Sequence, residues 1–352
     1  MIRVIHLASG REWRGGQRQV LLLAGGLAAL PDIDVSVMTG RGTLLADRLA
    51  AAGVTVQAVP WGPGLDPRVA MRLIPALTPT TIIHAHDSHA FALADAAARW
   101  RRAPVIVTRR DMPPIRRPHR YRRAAGVIAI SDAVRRRLID GGVDAPRIRI
   151  VPDAVDTGAA AALAARSEPD IVPTIVCIAA LRTVKGIDVL LDSAALLRVT
   201  RPDARWIVLG EGPERRQLEQ RRATLGLESI VDLRGFVATP EAILARATIA
   251  VQPSRVEALS SSVLDALALG VPVVASDVDG LPEALARGGG VLVPPESPVE
   301  LAAAVERLLG NAPERSRLAA EGRAAAEYFS VDRLVERTVD VYRSLAHYQG
   351  SR

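Results

Sequence analysis

The sequence predicts an α/β protein made of two doubly wound parallel sheets. Three observations carry this. Short apolar runs alternate with amphipathic helical patterns through the first 150 residues, the alternation breaks at 152–173, and a second alternating series begins at 174. A chain of 352 residues is also too long for one ordinary core and comfortable for two.

In the first half, strands are expected at 3–8, 34–38, 55–60, 81–85, 105–108, 127–130 and 148–151. Helices fall between them at 17–30, 44–52, 69–77, 89–101 and 133–140. Residues 152–173, rich in Ala, Asp and Pro, read as a linker with a helical turn series. Strands then recur at 174–179, 205–209, 230–234, 249–252, 272–275 and 290–293. Helices are expected at 187–200, 214–225, near 240–245 and at 261–269, with a turn at Asp279-Gly280 and closing helices at 299–309, 314–328 and 331–348. The expected domains are 1–155 and 172–328, with 329–352 a helix returning to the first. Open α/β sheets bind ligands at the C-terminal edges of their strands, so a cleft faced by both domains is the expected site.

No run reaches the 18 or so uncharged apolar residues of a membrane span, and the N-terminus enters a strand pattern with no secretory signal. The one cysteine, Cys177, lies in an apolar run, which excludes an internal disulfide and a Cys-cluster metal site; it reads as a buried small hydrophobe.

Charge is uneven. Residues 1–152 carry 23 arginines and 11 acids, a net of +12, while 153–352 carry 22 basic and 27 acidic residues, a net of −5. Ten arginines fall between Arg99 and Arg123. A solvated Arg-rich face, an anionic membrane surface or acidic acceptor, and nucleic acid are the candidate explanations. Only Trp100 and Tyr121 accompany these arginines, too few aromatics for a nucleic-acid stacking surface. Of the 45 basic residues, 44 are Arg; the single Lys is Lys185, which points to a site where a compact ammonium fits and a guanidinium fork does not.

Four motifs carry chemistry. Trp13-Arg14-Gly15-Gly16-Gln17 follows the first strand and opens a helix, so it is either a tight turn or a place where backbone amides approach a phosphate. Ala180-Leu181-Arg182-Thr183-Val184-Lys185-Gly186 follows the first strand of the second half, as a surface loop or a diphosphate clamp. Gly210-Glu211-Gly212-Pro213 begins like a dinucleotide fingerprint, but Arg215 stands where the third glycine belongs. Glu257 precedes a helix start at Ser260–Ser262, and Asp265 lies within that helix, so carboxylates and free amides can meet sugar hydroxyls or phosphate oxygens. His84, His86 and His89 cluster at the end of the fourth strand, as acceptor contacts, packing groups or metal ligands.

The glycine pair, Lys-Gly, Gly-x-Gly-Pro, and the acid-x7-acid run ending Ala-Leu-Ala-Leu-Gly-Val-Pro-Val-Val-Ala resemble, in that order, the GT-B retaining glycosyltransferases of family 4. Ile130-Ser131-Asp132-Ala133 and Asp279-Gly280-Leu281-Pro282-Glu283 extend the likeness over nearly the whole chain. The resemblance implies two Rossmann-like domains facing across a cleft, the N-terminal one for the acceptor and the C-terminal one for the nucleotide sugar. It implies no cofactor and no metal. It places Glu257 and Lys185 as catalytic residues. Gly16, Arg182, Lys185, Gly212, Phe236, Val237, Leu259, Ser260, Ser261 and Asp265 would bind the nucleotide and diphosphate, and His86, Arg109 and Arg110 the acceptor.

Four positions depart from the family pattern: Ala180 replaces an Arg, Asp265 a Glu, Arg110 a His, and Asp153-Ala154 an Asn-Gly. The arginines fit an anionic acceptor. The expected activity is retaining transfer of a hexose-type sugar, with a UDP-sugar as first donor, to a cell-envelope glycolipid or polysaccharide. The expected place is cytoplasmic, peripheral on the inner membrane face, with no nucleic-acid partner. A nucleotide-sugar epimerase and an inactive glycan- or partner-binding homologue are the alternatives.

Overall fold

A computed structural model describes residues 1–62, 66–115 and 117–349. Among the described residues, thirteen strands pair in parallel, in two sheets. The chain divides into two compact units: Met1–Ala154 together with the chain from Val331 onward, and Val155–Ser330.

The first unit holds β1 (Ile2–Ala8), β2 (Ile33–Gly40), β3 (Thr55–Val59), β4 (Ile82–Ala85), β5 (Val105–Arg109), β6 (Gly126–Ala129) and β7 (Ile148–Ile150), in the order β3-β2-β1-β4-β5-β6-β7. The order reverses between β1 and β4, where His6 pairs in register with His84. Helices Gly15–Ala28 and Val331–Gln349 pack on one face over Val4, Ile82 and Ile106. Gly26 allows their close approach, since a Cβ there would lie 2.5 Å from Val335 Cγ2. Gln19, fully buried, donates from Nε2 to the Ala154 carbonyl and accepts from the Ala154 amide, both at 2.7 Å. Both backbone groups of Ala154 are thereby satisfied without a strand partner.

The second unit holds β8 (Thr174–Ile178), β9 (Arg205–Leu209), β10 (Val231–Gly235), β11 (Ile249–Gln252), β12 (Val273–Ser276) and β13 (Gly290–Val293), in the order β10-β9-β8-β11-β12-β13. Here the order reverses between β8 and β11. Trp206 and Cys177 lie in its core, and burial pushes the Cys177 thiol up to about 12.

Every strand lies within two residues of its expected bounds. The segment 152–173 has the expected helical turns, but it is packed on the second unit and is not a free linker. It contains the helix Thr157–Ala164, whose N-cap Asp156 accepts from the Ala159 amide at 2.8 Å, and this helix lies against Ser261–Leu269. Residues 155–173 accordingly belong to the second unit. The short helices Pro118–Arg123 and Leu281–Leu285 were not expected, because five or six residues are too few to show a 3.6-residue period. No helix among the described residues is long and apolar enough to cross a membrane.

Candidate active site

Parallel strands put every loop that follows a strand at one edge of its sheet. In the second unit the two loops flanking the strand-order reversal follow β8 and β11, and they bring Lys185 and Glu257 together. Lys185 Nζ donates to Glu257 Oε2 at 2.6 Å, with side-chain exposures of 23% and 9%. The same carboxylate oxygen accepts from Gln252 Nε2 and Ser254 Oγ, each at 3.2 Å. Ser262 Oγ donates to Gln252 Oε1 at 3.0 Å, which fixes the amide orientation. The Glu257 backbone is pinned as well: its amide donates to Asp279 Oδ2 and its carbonyl accepts from the Gly280 amide, both at 3.0 Å.

The loops fit because of their glycines. At Gly186, with φ +65°, a Cβ would stand 2.0 Å from the Pro253 carbonyl oxygen. At Gly212 it would stand 2.2 Å from the Leu181 carbonyl oxygen, so this glycine is required by contact with the Lys185 loop. Arg255, which sequence reasoning missed, joins the two loops. It donates from Nη1 and Nη2 to Asp188 at 2.8 Å each, from Nε to Glu296 at 2.7 Å, and from Nη1 to the Thr183 carbonyl at 2.8 Å. These bonds hold the Asp188 carboxyl below its usual range. An Arg three residues after an expected strand, with acids scattered elsewhere, carried no signal of this role.

The helix Ser261–Leu269 begins at the same edge. Ser260 precedes it at φ +74°, a conformation L-residues rarely adopt, and its side chain does not cap the helix. Leu259 is buried, Ser260 and Ser261 are half-buried, and Asp265 is buried within the helix. Arg182 is exposed, and among the described residues nothing pairs with its guanidinium. Phe236 follows β10 and is 59% exposed, while Val237 is half-buried.

In the first unit the reversal point is occupied by histidine. His6 Nδ1 and His86 Nε2 are 2.7 Å apart. His84 Nδ1 is 2.7 Å from Tyr342 Oη, and His84 Nε2 is 2.7 Å from Thr108 Oγ1. Arg110 donates from Nη1 to His86 Nδ1 at 3.1 Å and from Nε to Asp153 Oδ1 at 2.8 Å. Burial pushes His6 down to about 3 and His84 and His86 well below their ordinary value, so all three are neutral near pH 7. Burial raises the Asp153 carboxyl despite Arg110 beside it. His6, which no motif in the sequence marks, thus joins His84 and His86. His89 lies on the next helix near Trp61, with ring centroids 6.5 Å apart.

Two expected acceptor contacts are corrected. Arg109 is 8% exposed and turned inward; its guanidinium donates to the Asp111 carbonyl, Tyr121 Oη and the Pro113 carbonyl, bracing the loop after β5. His86 has both ring nitrogens engaged, so it supports Arg110 and leaves no nitrogen for an acceptor. Gly16, in the first turn of the helix Gly15–Ala28, keeps open space in front of it: a Cβ there would meet nothing within 4 Å, and the side chain of the N-cap Arg14 does not cap the helix.

The three buried histidines offer ring nitrogens within 4.8 Å of one another. A divalent cation there would require breaking the His6–His86 bond and would sit beside the Arg110 guanidinium, with no carboxylate in the cluster to offset its charge. The set therefore fits a hydrogen-bonded network better than a metal.

The family model described as Glycosyltransferase Family 4 matches residues 13–159, and that described as Glycosyl transferases group 1 matches 172–311. An MMP alpha-(1->4)-mannosyltransferase from Mycolicibacterium hassiacum is 33% identical over 255 residues, 70% of this chain and 60% of that protein. Alpha-D-kanosaminyltransferase from Streptomyces kanamyceticus is 29% identical over 241 residues, 64% of this chain and 62% of that protein. The chain thus spans about three fifths of the length of these relatives. Among solved structures, Anabaena Alr3699/HepE in complex with UDP and glucose aligns with a TM-score of 0.84 at 18% identity, covering 98% of this chain and 100% of that one. A glycosyltransferase from Rickettsia africae aligns at 0.83 and 16% identity, covering 98% of each chain.

Proposed function

The chain belongs to the GT-B glycosyltransferases of family 4, group 1, and from that premise we propose that it moves a hexose-type sugar from a nucleoside-diphosphate sugar to a cell-envelope glycolipid or polysaccharide, with retention at the anomeric carbon. The observation that carries this reading is the Lys185–Glu257 pair at the reversal point of the second sheet, beside a helix start that the Ser260 side chain does not cap. The Lys185 ammonium and the first amides of Ser261–Leu269 are donors suited to a diphosphate. Arg182 stands near enough in sequence to add a second cation in place of the absent Arg at Ala180. Asp265 suits a ribose hydroxyl, and Phe236 offers an exposed aromatic face to a base. Glu257 accepts from a hydroxyl of the transferred sugar and holds its reacting face in place.

The reaction leaves a diphosphate carrying an additional charge, so the groups that matter are fixed cations and amides. In a front-face substitution the leaving phosphate oxygen takes the acceptor's proton, and no side-chain base and no metal are needed. UDP-sugar is the first donor to test, consistent with the HepE complex. Arg110, held by Asp153 and His86 at the edge of the first sheet, suits an anionic group on the acceptor.

The basic surface has a different place. Trp100 is 80% exposed between Arg99 and Arg101, and with Arg102 and Arg123 it lies around the start of β5, the edge opposite His86 and Arg110. Asp95 neutralises part of it, accepting from Arg123 at 2.6 Å and 3.0 Å. Arg116 lies outside the described residues. This surface suits peripheral docking on an anionic membrane and not recognition of the acceptor's sugar. A second reading, a family member that has lost catalysis and binds glycans or a partner, is favoured by Ala180 and by the shorter Asp265. A thermal-shift panel of UDP, GDP and ADP separates the two: stabilisation by one of them supports the nucleotide site of a transferase, and none from any of them favours the second reading.

A further inference from the structure

We propose that the Tyr342 hydroxyl, on the C-terminal helix, is a positioning group that holds Arg110 at the acceptor edge by completing a one-way hydrogen-bond chain through His6 and His86. The acceptor part rests on the function proposed above; the chain itself does not.

The chain begins with a group that can only donate. Arg110 Nη1 lies 3.1 Å from His86 Nδ1, so that nitrogen accepts. A neutral His86 then carries its proton on Nε2 and donates to His6 Nδ1 at 2.7 Å. His6 in turn carries its proton on Nε2 and donates to Tyr342 Oη at 3.3 Å. The Tyr342 hydroxyl donates to His84 Nδ1 at 2.7 Å, and His84 donates from Nε2 to Thr108 Oγ1 at 2.7 Å. With Arg110 in place, a single direction satisfies all five contacts. The sequence explains the location: on the face under the C-terminal helix, the apolar layer of Val4, Ile82 and Ile106 is followed two residues on by His6, His84 and Thr108, and then by His86 and Arg110.

Removing the hydroxyl leaves the His6 Nε2 proton facing no acceptor in a buried site. The alternative is for His6 to move its proton to Nδ1 and donate to His86 Nε2. His86 then carries its proton on Nδ1, donor against donor with Arg110, and the guanidinium is pushed away. A hydroxyl with no contact to Arg110 thereby sets where Arg110 stands.

The test is long-range proton–nitrogen NMR on the full chain with 15N-labelled histidine near pH 7.5. In the native protein His6, His84 and His86 are expected as neutral Nε2–H tautomers with exchange-protected protons. In Tyr342→Phe, His6 and His86 are expected to shift to Nδ1–H, and the acceptor KM to rise about tenfold with kcat within about threefold. An Nδ1–H or charged histidine in the native protein overturns the chain, even if Tyr342→Phe fails to fold, and so does loss of the pattern on stoichiometric uptake of added Zn2+. Unchanged tautomers in a folded Tyr342→Phe overturn the role of the hydroxyl. A tautomer shift in a protein with no transferase activity leaves the chain standing and removes only the functional reading.

Discussion

Lys185 Nζ and Glu257 Oε2 lie 2.6 Å apart, each delivered by a loop on one side of the strand-order reversal in the second sheet. The pair keeps a largely buried carboxylate satisfied. It also means that a diphosphate must compete with Glu257 for the same ammonium. Glu257→Gln is therefore expected to bind nucleoside diphosphate as well as the native protein or up to about tenfold more tightly, because a nearby negative charge is gone. Its turnover is expected to fall by about 100-fold or more. Calorimetry with the diphosphate, beside initial rates, reads both directions; weakened binding with unchanged turnover contradicts the assignment.

Gly186→Ala is expected to cost more than about 1 kcal/mol of stability and to displace Lys185. Its φ of +65° disfavours a Cβ, and the Pro253 carbonyl oxygen would stand 2.0 Å from it. A denaturant melt together with nucleotide affinity checks this, and a neutral melt sinks it.

Arg255→Met removes the brace between the Lys185 loop and the Glu257 loop. Side-chain exposure of 22% leaves these ion pairs partly screened, so the expected loss of stability is only about 1 kcal/mol. The donor KM is expected to rise severalfold, because the two loops lose their common fastening at Asp188 and Thr183. Steady-state kinetics with varied donor tests it; an unchanged KM contradicts the bracing role.

The buried histidines predict acid lability. Their folded values lie below the ordinary 6.5, so the unfolded state takes up protons first as pH falls. Stability is fully present above about pH 6.5 and declines below it, by up to about 1.4 kcal/mol per pH unit for each histidine. Urea melts between pH 7.5 and 5 measure this, and a flat midpoint across that range excludes a neutral buried cluster.

Replacing Arg101 and Arg102 by Gln is expected to lower sedimentation with vesicles containing phosphatidylserine at low salt, by about 1 kcal/mol per charge near the surface. Transfer to a water-soluble acceptor is expected to be unchanged, since these arginines lie away from Arg110. Equal vesicle binding before and after rules out the docking surface.

The two sheets were legible because buried parallel strands read as short apolar runs at regular spacing. Lys185, Glu257 and the helix start at Ser261 stood out because unusual residues followed strands. His6 and Tyr342 did not. They lie 336 residues apart, and only the return of the C-terminal helix to the first sheet brings them together. Arg109 and Arg110 look alike in sequence, yet strand alternation turns Arg109 inward to Tyr121 and Arg110 toward His86 on the other face. Arg255 escaped notice for a similar reason, since its partners Asp188, in the first turn of the helix Ile187–Leu197, and Glu296 are distant in sequence.

The most direct measurement is nucleotide release from UDP-, GDP- and ADP-sugars by the native protein and by Lys185→Ala. The native protein is expected to hydrolyse one donor class slowly and faster with an acceptor extract. Lys185→Ala is expected to be folded, with its melting temperature lowered because the buried Glu257 carboxylate loses its ammonium, and with release reduced by about 100-fold or more. A folded Lys185→Ala that releases nucleotide at the native rate would contradict the diphosphate site built around Lys185.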